Sequence, residues 1–252
     1  MGGAANTTLD YFLGDRIALC QPVKGYRAGI DAVLLAATAR PGEGPLLDLG
    51  SGVGTVGLCA VARLPDLRAT LVERSPELAQ LARDNIAANA LEHRADVVEA
   101  EIGEPVPAEA ARVLKAGSFA HVVANPPFHD EGSGTSSLWP LKAVSHAMTS
   151  DALEQWVRFM ARMAAPGGRA TMIHKADALP RILSAFENRF GALTILPVHP
   201  RDGAPAIRVI VDGVKGSRAP LVIKPGLILH GSGNAFLPEV DAILRNGAAL
   251  PI

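Results

Sequence analysis

Apolar positions along this chain come in short runs, each followed by polar or glycine-rich residues and separated from the next by longer amphipathic stretches. Pro45–Leu49, Ala69–Val72, Ala95–Ala100, Phe119–Ala124 and Arg169–His174 are such runs and predict strands. Phe119–Ala124 has the pattern of a parallel strand buried on both faces. Helices are predicted between them, over Thr55–Arg63, about Pro76–Ala90, Asp151–Ala164 and about Ala178–Phe190, the third stopped by Pro166-Gly167-Gly168. Asn85 and Asn89 fall near the end of the second helix. Glu104–Gly117, rich in Pro and Ala, predicts a loop with a short helix. Strand and helix in alternation predict an α/β fold.

The two ends of the chain follow other patterns. Met1 to about Thr8 predicts a disordered tail. Tyr11–Pro22 alternates apolar and polar positions around Gly14-Asp15, which predicts a β-hairpin. Asp31 is placed to cap a helix over Ala32–Ala39 that ends at Pro41-Gly42. Near the other end, Leu193–Val198 and Ile207–Val214 flank His199-Pro200-Arg201 and predict a terminal hairpin of the sheet. Leu221–His230 is expected to be extended and Pro238–Arg245 helical. His129–Ser150, rich in Gly and Ser, predicts a long loop carrying Trp139, Lys142 and His146. With no internal repeat and no linker, residues 1–252 are expected to form a single domain, an N-terminal extension (1–42) on a core (43–252).

Composition narrows the function classes. At 252 residues and 48% hydrophobic the chain can build a substantial core. A net charge of -1 argues against a uniformly basic nucleic-acid binder but leaves room for a local basic face. The two cysteines, Cys20 and Cys59, make no disulfide framework, and neither they nor His146, His174 and His199 have metal-ligand spacing. No metal is expected. With no signal peptide and no run long enough to span a bilayer, a cytoplasmic protein without a membrane partner is expected.

Candidate chemistry gathers where strands end. Pro45–Leu49 runs into Asp48-Leu49-Gly50-Ser51-Gly52-Val53-Gly54 and then a helix. Strand, glycine turn and helix form the context in which backbone approaches a ligand closely. Glu73 ends the next strand, where a carboxylate can take both hydroxyls of a ribose. Taken alone, these features also fit a nicotinamide or flavin enzyme. Glu101, at the third strand end, suits an exocyclic amine of a purine, or is simply a solvated loop acid. The fourth strand ends in Asn125-Pro126-Pro127-Phe128. The Asn125 side-chain carbonyl and the Pro126 backbone carbonyl are two acceptors that suit the two donors of an –NH₂ group. Phe128 offers a face on which a base can stack. The bland reading of the same residues is a Pro-rich turn.

Taken in this order, Asp48–Gly54, Glu73, Glu101 and Asn125–Phe128 resemble a class I S-adenosylmethionine-dependent amino-methyltransferase. Gly25-Tyr26-Arg27-Ala28-Gly29-Ile30-Asp31, Lys215–Pro220 and Leu227–Gly231 extend the likeness to the bacterial tRNA1(Val) adenine-37 N6-methyltransferase family over nearly the whole chain. The resemblance implies a Rossmann-like fold: a seven-stranded, mostly parallel sheet with an antiparallel C-terminal hairpin and a small hairpin-and-helix N-terminal extension. It implies S-adenosyl-L-methionine as cofactor. Arg27, Gly29, Asp31, Asp48, Gly50, Ser51, Gly52, Gly54 and Arg74 would line it, with Glu73 at the ribose and Glu101 and Ile102 at the adenine. Family members often carry Asp at the position of Glu101. Asn125, Pro126, Pro127 and Phe128 would hold and stack the target base, and the partner would be RNA, tRNA in particular. Lys142, His146, Lys175, Arg201, Arg208, Lys215 and Arg218 would track phosphates if they gather on the Asn125 face. Asn-Pro-Pro-Phe-His also resembles rRNA guanine-N2 methyltransferases, and protein glutamine methyltransferases share the motif. Outside the enzymes, a non-catalytic cofactor-binding protein is the remaining alternative.

Overall fold

The computed structural model describes residues 7–24, 27–127 and 150–252. In chain order the strands and α-helices are β1 (Thr7–Phe12), β2 (Ile17–Pro22), α1 (Ile30–Ala36), β3 (Leu46–Leu49), α2 (Thr55–Arg63), β4 (Ala69–Glu73), α3 (Pro76–Ala88), β5 (Ala95–Glu99) and β6 (Phe119–Ala124). They continue with α4 (Ser150–Met163), β7 (Ala164–Lys175), α5 (Leu179–Phe186), β8 (Phe190–Arg201), β9 (Arg208–Lys215), β10 (Val222–Ile223), β11 (Leu227–His230) and α6 (Pro238–Asn246). Strands β3 to β11 form one nine-stranded sheet in the order β10-β8-β9-β7-β6-β3-β4-β5, with β11 also on β8. Neighbours from β7 through β6, β3 and β4 to β5 are parallel, and β9 runs antiparallel between β7 and β8. The seven expected strands are β3 to β9. The extended stretch after them adds two short strands, β10 and β11, parallel to β8 at the outer edge.

The pleat sorts side chains onto two faces, because successive residues of a strand point to opposite sides. Leu46, Leu71, Val123, Ile173 and Ile210 pack with residues of α1, α2, α3 and α6 in one apolar cluster. Leu47, Leu49, Val72, Val122, Ala124 and Met172 pack with α4 and α5 in the other. Cys59 lies in the first cluster, fully buried, and burial pushes its thiol up to about 12, so it is an inert core residue. Among the described residues no helix is long and apolar enough to cross a membrane.

Several expected boundaries move. Thr7 and Thr8, expected in a tail, pair with Pro22 and Gln21 in the hairpin ladder. Asp31 does not cap α1: Gly29 holds the cap position without a side-chain bond, and Asp31 lies in the first turn. β7 begins at Ala164, running through Pro166-Gly167-Gly168, and a register shift between Phe119 and His121 of β6 absorbs the irregularity. α5 ends at Phe186, not Phe190, since Asn188 turns the chain at φ 63.

The hairpin β1–β2 is fastened to the core by two asparagines of α3. Cys20 N–H donates to Asn85 Oδ1 (2.8 Å) and Asn85 Nδ2 to Cys20 O (3.1 Å). Ala18 N–H donates to Asn89 Oδ1 (3.0 Å) and Asn89 Nδ2 to Ala18 O (2.8 Å). Four residues of helix rise about 6 Å, close to two residues of strand, so the amides repeat in step with β2 and satisfy its free edge. Asn85 Nδ2 also donates to Val53 O (3.0 Å), tying the hairpin to the glycine turn after β3.

Candidate active site

Parallel strands bring their carboxyl ends to one edge, and β6, β3, β4 and β5 are consecutive neighbours. Leu49 is level with Ala124 on one side and Val72 on the other, and Glu73 is level with Glu99. Gly50, Glu73, Glu101 and Asn125 therefore emerge side by side along that edge. A cavity of about 470 Å³ lined by Leu183, Phe190, Leu193 and Leu221 lies at the start of β8, away from this edge. Its lining includes none of Gly50, Glu73, Glu101 and Asn125, so the candidate site is taken at the carboxyl edge.

The turn after β3 needs its glycines. Gly50, Gly52 and Gly54 have φ 64, 56 and 90, where a side chain is strained. Ser51 N–H donates to Val72 O and Gly54 N–H to Ser51 O (both 2.9 Å), so the turn is pinned to β4. A Cβ on Gly52 would meet nothing within 4 Å, so open space lies over its backbone. Asp48 sits behind the turn, not in the cleft: it is 0% exposed, and Oδ2 accepts from Gly57 N–H (2.9 Å). Burial raises its carboxyl to about 7; the Gly57 N–H opposes this and the Glu73 charge adds to it. Three buried atoms here, Asp48 Oδ1, Ser51 Oγ and Thr55 Oγ1, have no hydrogen-bond partner among the described residues.

Glu73 is 7% exposed and already accepts three backbone bonds. Oε2 takes Gly52 N–H, and Oε1 takes Arg74 N–H and Ser75 N–H, all at 2.9 Å. A carboxylate has about four lone-pair positions. One remains, on the Gly52 side, so the expectation of both ribose hydroxyls reduces to one unless the Gly52 N–H gives way. Beyond it, Arg74 and Glu101 form an exposed ion pair (2.7 Å) between the ends of β4 and β5, so the Glu101 carboxylate is already engaged by Arg74. Ile102 is half-buried against the cluster that holds α4.

Asn125 and Pro127 are half-buried and Pro126 is buried, with Asn125 Oδ1 enclosed. Phe128, Lys142 and His146 lie outside the described residues, as do Trp139, the rest of the expected loop and Gly25-Tyr26. The N-terminal candidates are held by ion pairs. Arg27 binds Asp10 and Thr8 of β1, and Asp31 pairs with Arg208 Nε (2.8 Å). Gly29 is exposed at the start of α1.

The basic residues do not gather as one set. Lys175 ends β7, Arg201 ends β8 and Arg208 begins the antiparallel β9, so these three stand at the Asn125 edge. Lys215 ends β9 at the opposite edge, where its Nζ donates to Ala164 O (2.7 Å), and Arg218 follows it there. An antiparallel strand sends its two ends to opposite edges, which removes Lys215 and Arg218 from the proposed phosphate track. His199 Nδ1 donates to Ala204 O (2.7 Å) within a turn. His174 is buried, and burial, then Arg181, pushes it down to about 4, so it is neutral at physiological pH. Among the described residues no three His, Cys, Asp or Glu side chains converge as a metal site. Gln155 and Trp156 of α4, which the sequence pattern placed only in an amphipathic helix, also reach the carboxyl edge.

Glu73→Ala should weaken cofactor binding by about 1.5–3 kcal/mol, the worth of hydrogen bonds to a charged group. Calorimetric titration of the folded variant with S-adenosylhomocysteine checks this; unchanged affinity refutes the ribose role.

Known proteins resemble this arrangement. The family model described as methyltransferase small domain matches residues 29–157. The tRNA1(Val) (adenine(37)-N6)-methyltransferase of Porphyromonas gingivalis is 29% identical over 177 residues, 68% of this chain and 67% of that protein. A release factor glutamine methyltransferase of Vibrio cholerae is 34% identical over 96 residues, 38% of this chain and 31% of its own length. The ribosomal RNA small subunit methyltransferase C of Yersinia enterocolitica is 28% identical over 123 residues, 48% of this chain and 32% of its own. The chain thus spans about a third of the length of these last two. The crystal structure of a predicted O-methyltransferase from Agrobacterium tumefaciens superimposes with a TM-score of 0.73 at 34% identity, over 88% of this chain and 99% of that one.

Proposed function

Because the chain belongs to the methyltransferase small domain family, we propose that it transfers a methyl group to the N6 amine of an adenine in tRNA, in an anticodon loop of the tRNA1(Val) kind. The fold is that of Rossmann-like class I methyltransferases and the cofactor is S-adenosylmethionine. Family membership replaces the nicotinamide and flavin readings of the glycine turn. The observation that carries the proposal is the junction of Asn125-Pro126-Pro127 with the glycine turn: Ala124 and Leu49 are level on adjacent parallel strands. The adenine choice draws on the P. gingivalis relative, which matches more of this chain than the glutamine and ribosomal RNA enzymes do.

The residues present fit the cofactor. The open space over Gly52 lies beside the lone-pair position left on Glu73, a place for one ribose hydroxyl. Gly52 admits the amino-acid end, and Glu101 with Ile102 borders the adenine. Arg27 and Asp31 steady the N-terminal segment. S-adenosylmethionine supplies an electrophilic methyl group. Asn125 Oδ1 and the Pro126 carbonyl accept from the two N–H bonds of the target amine and Phe128 stacks on the base. An exocyclic amine is a poor nucleophile because its lone pair is delocalised into the ring. Two fixed acceptors draw the nitrogen toward a tetrahedral shape and aim the lone pair, so catalysis is positioning and electrostatics. Extruding the base costs least in an unpaired loop.

Incubation with labelled S-adenosylmethionine and total RNA from the cytoplasm, where the enzyme would act, followed by nucleoside analysis, tests the proposal. N6-methyladenosine in tRNA is expected. N2-methylguanosine would favour the ribosomal RNA reading, and label on protein the glutamine reading, whose amide fits the same two acceptors. RNA affinity should fall with salt. Lys175→Glu and Arg201→Glu should each weaken RNA binding and lower the salt slope by about one, while Arg218→Glu, at the other edge, should not. Equal effects of all three in filter binding would remove the directional phosphate track.

A further inference from the structure

α4 reaches the cofactor edge with two adjacent side chains that no motif marks. A Cβ on Gly50 would lie 2.4 Å from Trp156 Cη2, 3.2 Å from Cζ3 and 3.4 Å from Cζ2. The benzo edge of the indole therefore abuts the glycine turn. A Cβ on Gly103 would lie 2.7 Å from Gln155 Oε1. Gly50 follows β3 and Gly103 follows β5, with β4 and its terminal Glu73 between them. Two strand spacings are about 10 Å, the span of a nucleoside. Trp156 also shares its apolar cluster with Ile102, is only half-buried, and has Gln155 exposed beside it. An indole offers a flat face to a purine, and a glutamine amide offers the donor and acceptor that match an adenine edge.

We propose that Trp156 and Gln155 form the adenine wall of the cofactor site, Trp156 by apolar contact with the ring and Gln155 by reading its amino edge. The proposal rests on the S-adenosylmethionine assignment. It makes Gln155 a specificity-determining residue, and it gives Gly50 a second reason to be glycine besides its positive φ: the indole occupies the space a side chain would need.

The chain has two tryptophans, so Trp139→Phe leaves Trp156 as the sole indole reporter. Titrating that protein with S-adenosylhomocysteine and with 5′-methylthioadenosine should change its fluorescence saturably for both ligands, since both carry the adenosine. By calorimetry Trp156→Ala should weaken both by a similar factor, about tenfold for a lost stacking face. Trp156→Phe, which keeps an apolar ring, should retain most of the affinity and covers the case in which the alanine variant folds poorly. Gln155→Ala should reduce the preference for methylthioadenosine over its inosine counterpart. Unchanged affinity in a folded Trp156→Ala protein overturns the wall, as does a loss for S-adenosylhomocysteine alone, which would put the indole at the amino-acid end. An unchanged adenosine preference in Gln155→Ala overturns the reading role. If the wild-type protein binds neither ligand, the cofactor assignment itself fails and the wall with it.

Discussion

Asn125→Ala should lower single-turnover methyl transfer by about 10²–10³-fold at saturating RNA while leaving S-adenosylhomocysteine affinity close to wild type. Asn125 follows β6 directly, and β6 is the strand beside the one that ends in the glycine turn, so Asn125 adjoins the proposed cofactor site. The two N–H bonds of an exocyclic amine need two acceptors. The Pro126 carbonyl survives the substitution, so one acceptor remains and the nitrogen is held at one point only. An interaction that strengthens as the nitrogen becomes tetrahedral belongs to the transition state, and its loss appears in the chemical step. Asn125 is only half-buried as a residue, so truncation should not unfold the domain. Transfer at the wild-type rate would remove the amine-holding role, and with it the main chemical reason for choosing a nitrogen acceptor.

The parts of this site legible in the sequence are those governed by local rules. β6 occupies the predicted Phe119–Ala124 and α2 the predicted Thr55–Arg63, because uninterrupted apolar runs and a glycine-to-helix junction are signals of neighbouring residues. The glycine turn was legible because positive φ selects glycine whatever lies around it. What depended on distant contacts was hidden. Asn85 and Asn89 read as residues near a helix end, yet their amides edge a strand more than sixty residues away. Asp31 has the sequence features of a cap, but Arg208 on β9 claims its carboxylate. Lys215 and Arg208 looked alike along the chain until the antiparallel direction of β9 sent them to opposite edges. Trp156 lay in an unremarked helical face, and only the crossing of α4 over the turn brings it to Gly50.

Asp48→Asn should make the free protein at least as stable as wild type at pH 8 and flatten the pH dependence of its melting temperature. The wild-type carboxyl is fully enclosed, with one oxygen on Gly57 N–H and the other without a hydrogen-bond partner among the described residues. Its carboxyl is raised from 3.8 to about 7 in the fold, so the folded state holds this proton more tightly than the unfolded chain. The associated stability is therefore fully present below about pH 4 and is lost as pH rises through about 7. At roughly 1.4 kcal/mol per unit of pKa, the contribution is a few kcal/mol. Asparagine keeps the acceptor for Gly57 N–H and removes the buried charge, at the smaller cost of burying an N–H₂ group. Melting curves from pH 5 to pH 8 check this: a slope for the variant equal to that of wild type would assign the titration to another group. The same substitution separates charge from contact. Because Asp48 lies behind the turn, it would act on a bound ligand only through space, and only S-adenosylmethionine carries the sulfonium charge it would attract. The variant should therefore lose more affinity for S-adenosylmethionine than for S-adenosylhomocysteine, and parallel losses would mean that Asp48 instead shapes the turn on which both ligands rest.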